Sequence, residues 1–210
     1  MARRTPPLDS TGYFHISSRA VYDLPLFRDA SEEELFLSLY GRWSSKYGWR
    51  TLAWTLLGNH HHFLVRVVDG DLSTGLRVLH SGFARRVNQK YGQTRKGHLV
   101  RHCFYAGALT TNDAILSVAR YIDLNPVRAG LCDAPEDWPL SSYAATVGVT
   151  HARPFHSPSE LLRLLSETPK TSRARYRRFI QEGLGESSRV LSSDEGYESV
   201  TTARVLESAA

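Results

Sequence analysis

Two cysteines are all this 210-residue chain contains, Cys103 and Cys132, and neither has a CxxC or CxxH partner. That excludes a disulfide framework and a cysteine-built zinc site. Long apolar runs are missing as well: none approaches the roughly 20 residues that a bilayer span requires. The start, MARRTPPLDSTG, is basic but lacks the apolar segment of a secretory signal. No membrane association is therefore expected, and the cytoplasm is the default compartment. Acidic residues vanish altogether between positions 72 and 112, a stretch that carries Arg77, Arg85, Arg86, Lys90, Arg95, Lys96 and Arg101. A solvated helix face usually mixes its signs. One-signed clustering in a chain of net charge +5 points instead to a polyanionic partner.

What is present reads as an ordinary globular chain, 41% hydrophobic and 22% charged, long enough for one main domain with a real core. Residues 12–18, GYFHISS, alternate apolar and polar and predict a first strand. Ser31 and Glu34 have capping-box spacing and predict a helix opening at Ser31, with Leu35, Leu39 and Trp43 as its stripe and Gly48 closing it. Residues 49–57 and 60–68 read as two strands joined by Gly58-Asn59, a hairpin signal. A second helix starts at Ser73, with Leu76, Leu79, Phe83 and Val87 on one side, and a fourth strand is expected within 98–109. Thr111-Asn112-Asp113 caps a third helix, expected to run to about Leu124 and to stop at Asn125-Pro126. That order predicts an α+β fold, a small antiparallel sheet with helices packed on one face. Residues 1–11 read as a flexible N-terminus, 12–146 as the main domain, 147–184 as a basic helical extension, and the Ser- and Glu-rich 185–210 as a disordered tail.

The chemistry concentrates in LLGNHHHFLV, residues 56–65. Alternate side chains of a strand share a face, so His60 and His62 project together, roughly 7 Å apart by strand rise. Two imidazoles at that spacing can converge on one metal ion, while His61 points the other way with Phe63 and Val65. Two histidines leave most coordination positions open, so a further ligand must come from elsewhere. The third helix presents Tyr121 and Asn125 on one flank, four residues apart, with small Ala114 and Ser117 beside them. A divalent ion across from a tyrosine in a basic setting suits attack of a phenolate on a phosphate, giving a phosphotyrosine ester.

These residues match a family. Asn59-His60-His61-His62-Phe63-Leu64-Val65 resembles the N-H-x-H-L-L-V segment of single-tyrosine HUH transposases, and Tyr121-Ile122-Asp123-Leu124-Asn125-Pro126-Val127-Arg128-Ala129-Gly130 resembles their Y-I-x-x-N-P-V-R-A-G segment. Asp137-Trp138-Pro139-Leu140-Ser141-Ser142-Tyr143 is similar to the W-x-x-S-S-Y that follows, and His15-Ile16-Ser17-Ser18-Arg19 to the opening H-V-T-S-R. Four motifs in order, from about Gly12 to Tyr143, look specifically like the REP-associated tyrosine transposases. The departures are Leu57-Gly58 where Met-Pro is usual, His61 where an apolar or aromatic residue is common, and Arg101 or no counterpart for the family's Gln near the fourth strand.

The resemblance implies a ferredoxin-like fold and cleavage of single-stranded DNA that depends on a divalent metal, Mg²⁺ or Mn²⁺. It implies that Tyr121 is the nucleophile, linked to a 5′ phosphate with a 3′ hydroxyl released, and that His60, His62 and Asn125 are metal ligands. The implied substrate is single-stranded or hairpin DNA at palindromic repeats, handled by a monomer or a homodimer. Arg77, Arg85, Arg86, Lys90, Arg95, Lys96, Arg101 and Arg128 are the expected DNA contacts. The alternative is a domesticated, non-catalytic DNA-binding protein on the same fold.

Overall fold

The structure is a computed structural model that describes residues 11–20, 25–92, 104–166 and 168–185. The expectations for Arg95, Lys96, Arg101 and the two chain ends fall outside those residues. Four strands form one antiparallel sheet: β1 (Gly12–Arg19), β2 (Trp49–Leu56), β3 (His60–Val67) and β4 (Tyr105–Leu109), in the order β2-β3-β1-β4. Helices α1 (Ala30–Lys46) and α2 (Leu72–Lys90) make the two crossovers, which gives the expected ferredoxin-like unit. The chain continues through α3 (Asn112–Arg128), a single 3-10 turn at Pro135–Asp137, α4 (Tyr143–Thr146), α5 (Pro158–Arg163) and α6 (Pro169–Gly185). Among the described residues no helix is long and apolar enough to cross a membrane.

The helices do not all lie on one face, as the sequence had suggested. Phe14, Ile16, Phe63, Val65 and Val67 from the sheet bury against Phe36, Leu37 and Tyr40 of α1 and Leu76, Leu79, Phe83 and Val87 of α2. On the other face, Leu52, Ala53 and Leu64 pack with Ile115, Val118, Ala119 and Ile122 of α3. β3 is buried on both sides of its pleat from His61 to Val65, so both sheet faces need a cover. The same second core takes in Leu161, Leu162, Tyr176 and Ile180 from α5 and α6, so the basic extension shares the core of the main domain. At the β2–β3 pairing, Thr51 lies opposite Val65 and Ala53 opposite Leu64, leaving Leu52 as the bulged residue.

Two helix boundaries and the buried face of α1 differ from expectation for identifiable reasons. Asp29, not Ser31, caps α1: its carboxylate accepts from Glu32 N at 3.0 Å, and Glu32 reaches back to Arg28 N at 2.9 Å. The capping box is therefore Asp29–Glu32, and Glu34 is left to pair with Arg153 at 2.9 Å. With the helix set by that cap, Phe36, Leu37 and Tyr40 are the fully buried face, and Leu35 and Trp43 pack only at its margin. Finally, α3 runs through Pro126 to Arg128. A proline in the last turn forfeits only the bond to the Ile122 carbonyl, and Ala129 N, Gly130 N and Leu131 N close the carbonyls of Asn125, Val127 and Pro126.

One glycine allows a close approach. At Gly75 of α2 an added Cβ would overlap Cζ2 of Trp49 and stand 2.9 Å from Cδ2 of Tyr47. Both rings are held in the first core. Gly75→Ala is expected to destabilise the fold by roughly 1–3 kcal/mol despite the better helix propensity of alanine. A urea midpoint at or above wild type would contradict this packing.

The outer edge of β2 is covered by the chain that follows α3. Leu56 N bonds to Leu140 O at 2.9 Å, Ser142 N to Trp54 O at 2.9 Å and Ser157 N to Thr51 O at 2.8 Å. His156 is buried in this cover, 3.3 Å from the Leu52 carbonyl. Burial lowers its imidazole to about 4 from the usual 6.5. As pH falls through that window the unfolded chain binds a proton that the folded chain refuses, so stability is lost on acidification. The loss between pH 7.5 and 5 is expected to be smaller in His156→Leu than in wild type by about 2 kcal/mol, measured by urea unfolding. Equal losses in both proteins would contradict the assignment.

Candidate functional site

Strand alternation divides the three histidines as the sequence requires. His61 is fully buried on the α1/α2 side, its ring 4.9 Å from that of Phe36, with Nε2 3.4 Å from Nε2 of His80. The polar middle position thus finds a polar neighbour inside an otherwise aromatic core. His62 projects to the opposite face, toward α3, where its ring meets that of Tyr121 edge-on at 5.2 Å. His60 lies beside it, ring centres 5.1 Å apart at 86°.

A residue that sequence reasoning did not single out completes this cluster. His15 on β1 is in the same layer as His62: its Nε2 is 3.1 Å from His62 Nδ1, and its ring lies 5.9 Å from that of Tyr121. Its signals in the sequence were the alternation of GYFHISS and the likeness of His15-Ile16-Ser17-Ser18-Arg19 to an opening H-V-T-S-R segment, and neither gave it a role at the site. Placing it here needs the β1–β3 register, in which Ser17 pairs with His62 and His15 with Leu64. Arg19, at the end of β1, pairs with His60 and contributes positive charge near His62. Tyr105 of β4 flanks His15 at 6.2 Å.

Burial governs the protonation of this site. It lowers His15 to about 4, and it holds His62 well below the ordinary imidazole range, where the neighbouring His15, His60, His61 and Arg19 also disfavour a positive charge. Both rings are therefore neutral near pH 7 and keep a lone pair for a ligand. His60 Nδ1 donates to Asn59 Oδ1 at 2.6 Å, which leaves the lone pair on Nε2. The buried Nε2 of His62 has no hydrogen-bond partner among the described residues, although a buried imidazole nitrogen normally finds one. If Nδ1 of His62 donates to His15, that Nε2 carries the lone pair. These features fit a divalent cation held by His60 and His62. Among the described residues no three His, Cys, Asp or Glu side chains are grouped to hold an ion, so a third donor among them would be an amide or a hydroxyl. Asn125, nearly buried one turn beyond Tyr121 on α3, is such an amide.

An open cleft of about 330 Å³ borders His60, lined by Pro25, Leu57, Gly58, Asn59, Ala129 and Leu131. Behind Tyr121, Asp123 is fully buried, accepting from Ser142 Oγ at 2.9 Å and from Tyr176 Oη at 2.6 Å. Burial pushes its carboxyl up to about 7 against the pull of those two hydroxyls.

The structure places the expected basic residues of α2 away from this cluster. Arg77, Arg85, Arg86 and Lys90 line the outer side of α2, which covers the sheet face opposite Tyr121. Lys90 is also engaged, 2.6 Å from Asp29 and 3.8 Å from Glu32. Arg128 is exposed on α3, two turns beyond Tyr121.

The family model described as "Transposase IS200 like" matches residues 10–125. A protein of Haemophilus influenzae named as a REP-associated tyrosine transposase is 25% identical over 117 residues, 51% of this chain. The match spans 66% of that relative, just under two thirds of its length. A solved structure of a REP-associated tyrosine transposase bound to a REP hairpin is similar with a TM-score of 0.58 at 19% identity, over 75% of this chain and 90% of that one. At that identity the likeness shows a shared fold.

Proposed function

Because the chain belongs to the IS200-like transposase family, we propose that it is a single-strand DNA endonuclease and strand transferase with Tyr121 as its nucleophile. The observation that carries this reading is the placement of Tyr121 against His62, whose buried Nε2 lacks a hydrogen-bond partner among the described residues. A phenol ordinarily titrates near 10, so its reaction at neutral pH needs a phosphate made electrophilic and a proton acceptor close by. In the proposed step the Tyr121 oxygen bonds to phosphorus as the P–O3′ bond breaks. The departing 3′ oxygen leaves as a hydroxyl, taking up a proton as the phenol loses one, and the 5′ phosphate stays on the tyrosine.

His60, His62 and Asn125 would hold the Mg²⁺ or Mn²⁺. Neutralising charge on the non-bridging phosphate oxygens is the chemistry such an ion supplies when bound. His15 keeps the His62 ring oriented, as an outer partner of a ligating histidine does, and Arg19 adds positive charge where the phosphate would sit. The cleft beside His60 gives the strand a place to pass. Arg77, Arg85 and Arg86 would meet the DNA away from the cleaved bond, on the hairpin rather than at the phosphate. Contacts of that kind position a duplex without reading its sequence.

The test is incubation of the protein with a single strand carrying an imperfect palindrome in Mn²⁺ or Mg²⁺, followed by denaturing electrophoresis. A protein–DNA adduct that survives denaturation is expected. Tight hairpin binding with no adduct would favour the non-catalytic binder instead.

A further inference from the structure

We propose that the C-terminal helix α6 is a working part of the tyrosine helix, with Tyr176 as a positioning residue that acts on Tyr121 through Asp123. The proposal rests on the transferase reading of Tyr121. On a helix, positions 121 and 123 lie about 200° apart, nearly opposite one another. Asp123 is fixed from two directions, by Tyr176 Oη at 2.6 Å on α6 and by Ser142 Oγ at 2.9 Å. Ser142 Oγ in turn accepts Trp54 N–H of β2 at 2.9 Å. A continuous chain of hydrogen bonds therefore runs from β2, the neighbour of the histidine strand, to the far side of the helix that carries Tyr121. It fixes how α3 is rotated about its own axis, and so where the phenol points.

The lever makes this matter. The phenolic oxygen stands roughly 9 Å from the axis of α3, so a rotation of about 10° would carry it about 1.5 Å. Displacements of about 1 Å can cost on the order of 100-fold in rate. The remaining α3–α6 contacts restrain the rotation less directly. Arg120 lies over the ring of Phe179 at 4.5 Å, and Gly183 leaves room for Arg120 and Leu124 to approach α6. Both are apolar or stacking contacts that tolerate sliding. The buried carboxylate with two hydroxyl donors is the directional one.

The test compares wild type with Tyr176→Phe, which removes one oxygen and keeps the ring in the core. Single-turnover adduct formation at saturating hairpin DNA is expected to slow by about 10- to 100-fold, with the half-saturating concentration within about 2-fold. Asp123→Asn, nearly isosteric and uncharged, serves as a second variant should the first fail to fold. It should slow the same step, and the double variant should be no slower than the slower single one. A change in melting temperature with an unchanged rate in the folded protein would overturn the proposal, as would equal rates throughout. If wild type forms no adduct, the transferase reading fails, and amide hydrogen exchange decides the coupling by itself. Tyr176→Phe should then raise exchange in α3 and leave β3 unchanged; equal exchange in α3 overturns the proposal.

Discussion

Replacing His62 by alanine is expected to lower adduct formation by at least about 100-fold, whereas His61→Leu should leave it within about 3-fold of wild type. The two residues are sequence neighbours with similar burial, yet they serve different faces of the sheet. The His62 ring meets Tyr121 edge-on and its Nε2 has no hydrogen-bond partner among the described residues, while His61 packs on Phe36 and Phe63 and meets His80. Loss of the His62 imidazole removes one of the two imidazoles proposed to hold the ion and strands His15 Nε2, its 3.1 Å neighbour. Loss of the His61 imidazole exchanges an awkward polar group for an apolar one of similar size, a change that cores tolerate well. Calorimetric titration with Mn²⁺ separates the two independently of DNA: binding should disappear in His62→Ala and persist in His61→Leu. Equal Mn²⁺ binding by both variants would remove the metal assignment.

Tyr121→Phe carries the second large effect. The ring stays, so its edge-on packing against His62 and His15 and the fold should be retained. Without the phenolic oxygen no covalent ester can form, and cleavage should drop at least about 1,000-fold, to background. Hairpin affinity should stay within about 2-fold, because the arginines of α2 proposed to meet the hairpin lie on the opposite side of the sheet. A variant that still cleaves through an adduct would move the nucleophile elsewhere, with Tyr105, beside His15 on β4, the first tyrosine to examine.

Much of this arrangement was legible in the sequence where a single periodicity decides the outcome. Period-two alternation separated His60 and His62 from His61, and period 3.6 found the buried stripe of α2. What was not legible depends on which elements become neighbours. His15 enters the site through the β1–β3 register, which no local pattern encodes. Asp123 looked like an unremarkable helix residue because its partners Ser142 and Tyr176 lie 19 and 53 residues away. The acid-free stretch correctly marked α2 as basic, but charge clustering says nothing about which sheet face a helix covers, and α2 covers the one away from Tyr121. Pro126 misled for a simpler reason: proline stops a helix in its interior but is tolerated in the last turn, where only one carbonyl loses its partner.

The central claim is that Tyr121 becomes joined to DNA through a 5′ phosphate. It is tested most directly by digesting the adduct with protease and nuclease and sequencing the modified peptide by mass spectrometry. The account predicts a nucleotide on Tyr121, linked through its 5′ phosphate, and a released strand ending in a 3′ hydroxyl. A nucleotide on any other residue, or a released strand ending in a 3′ phosphate, would contradict it.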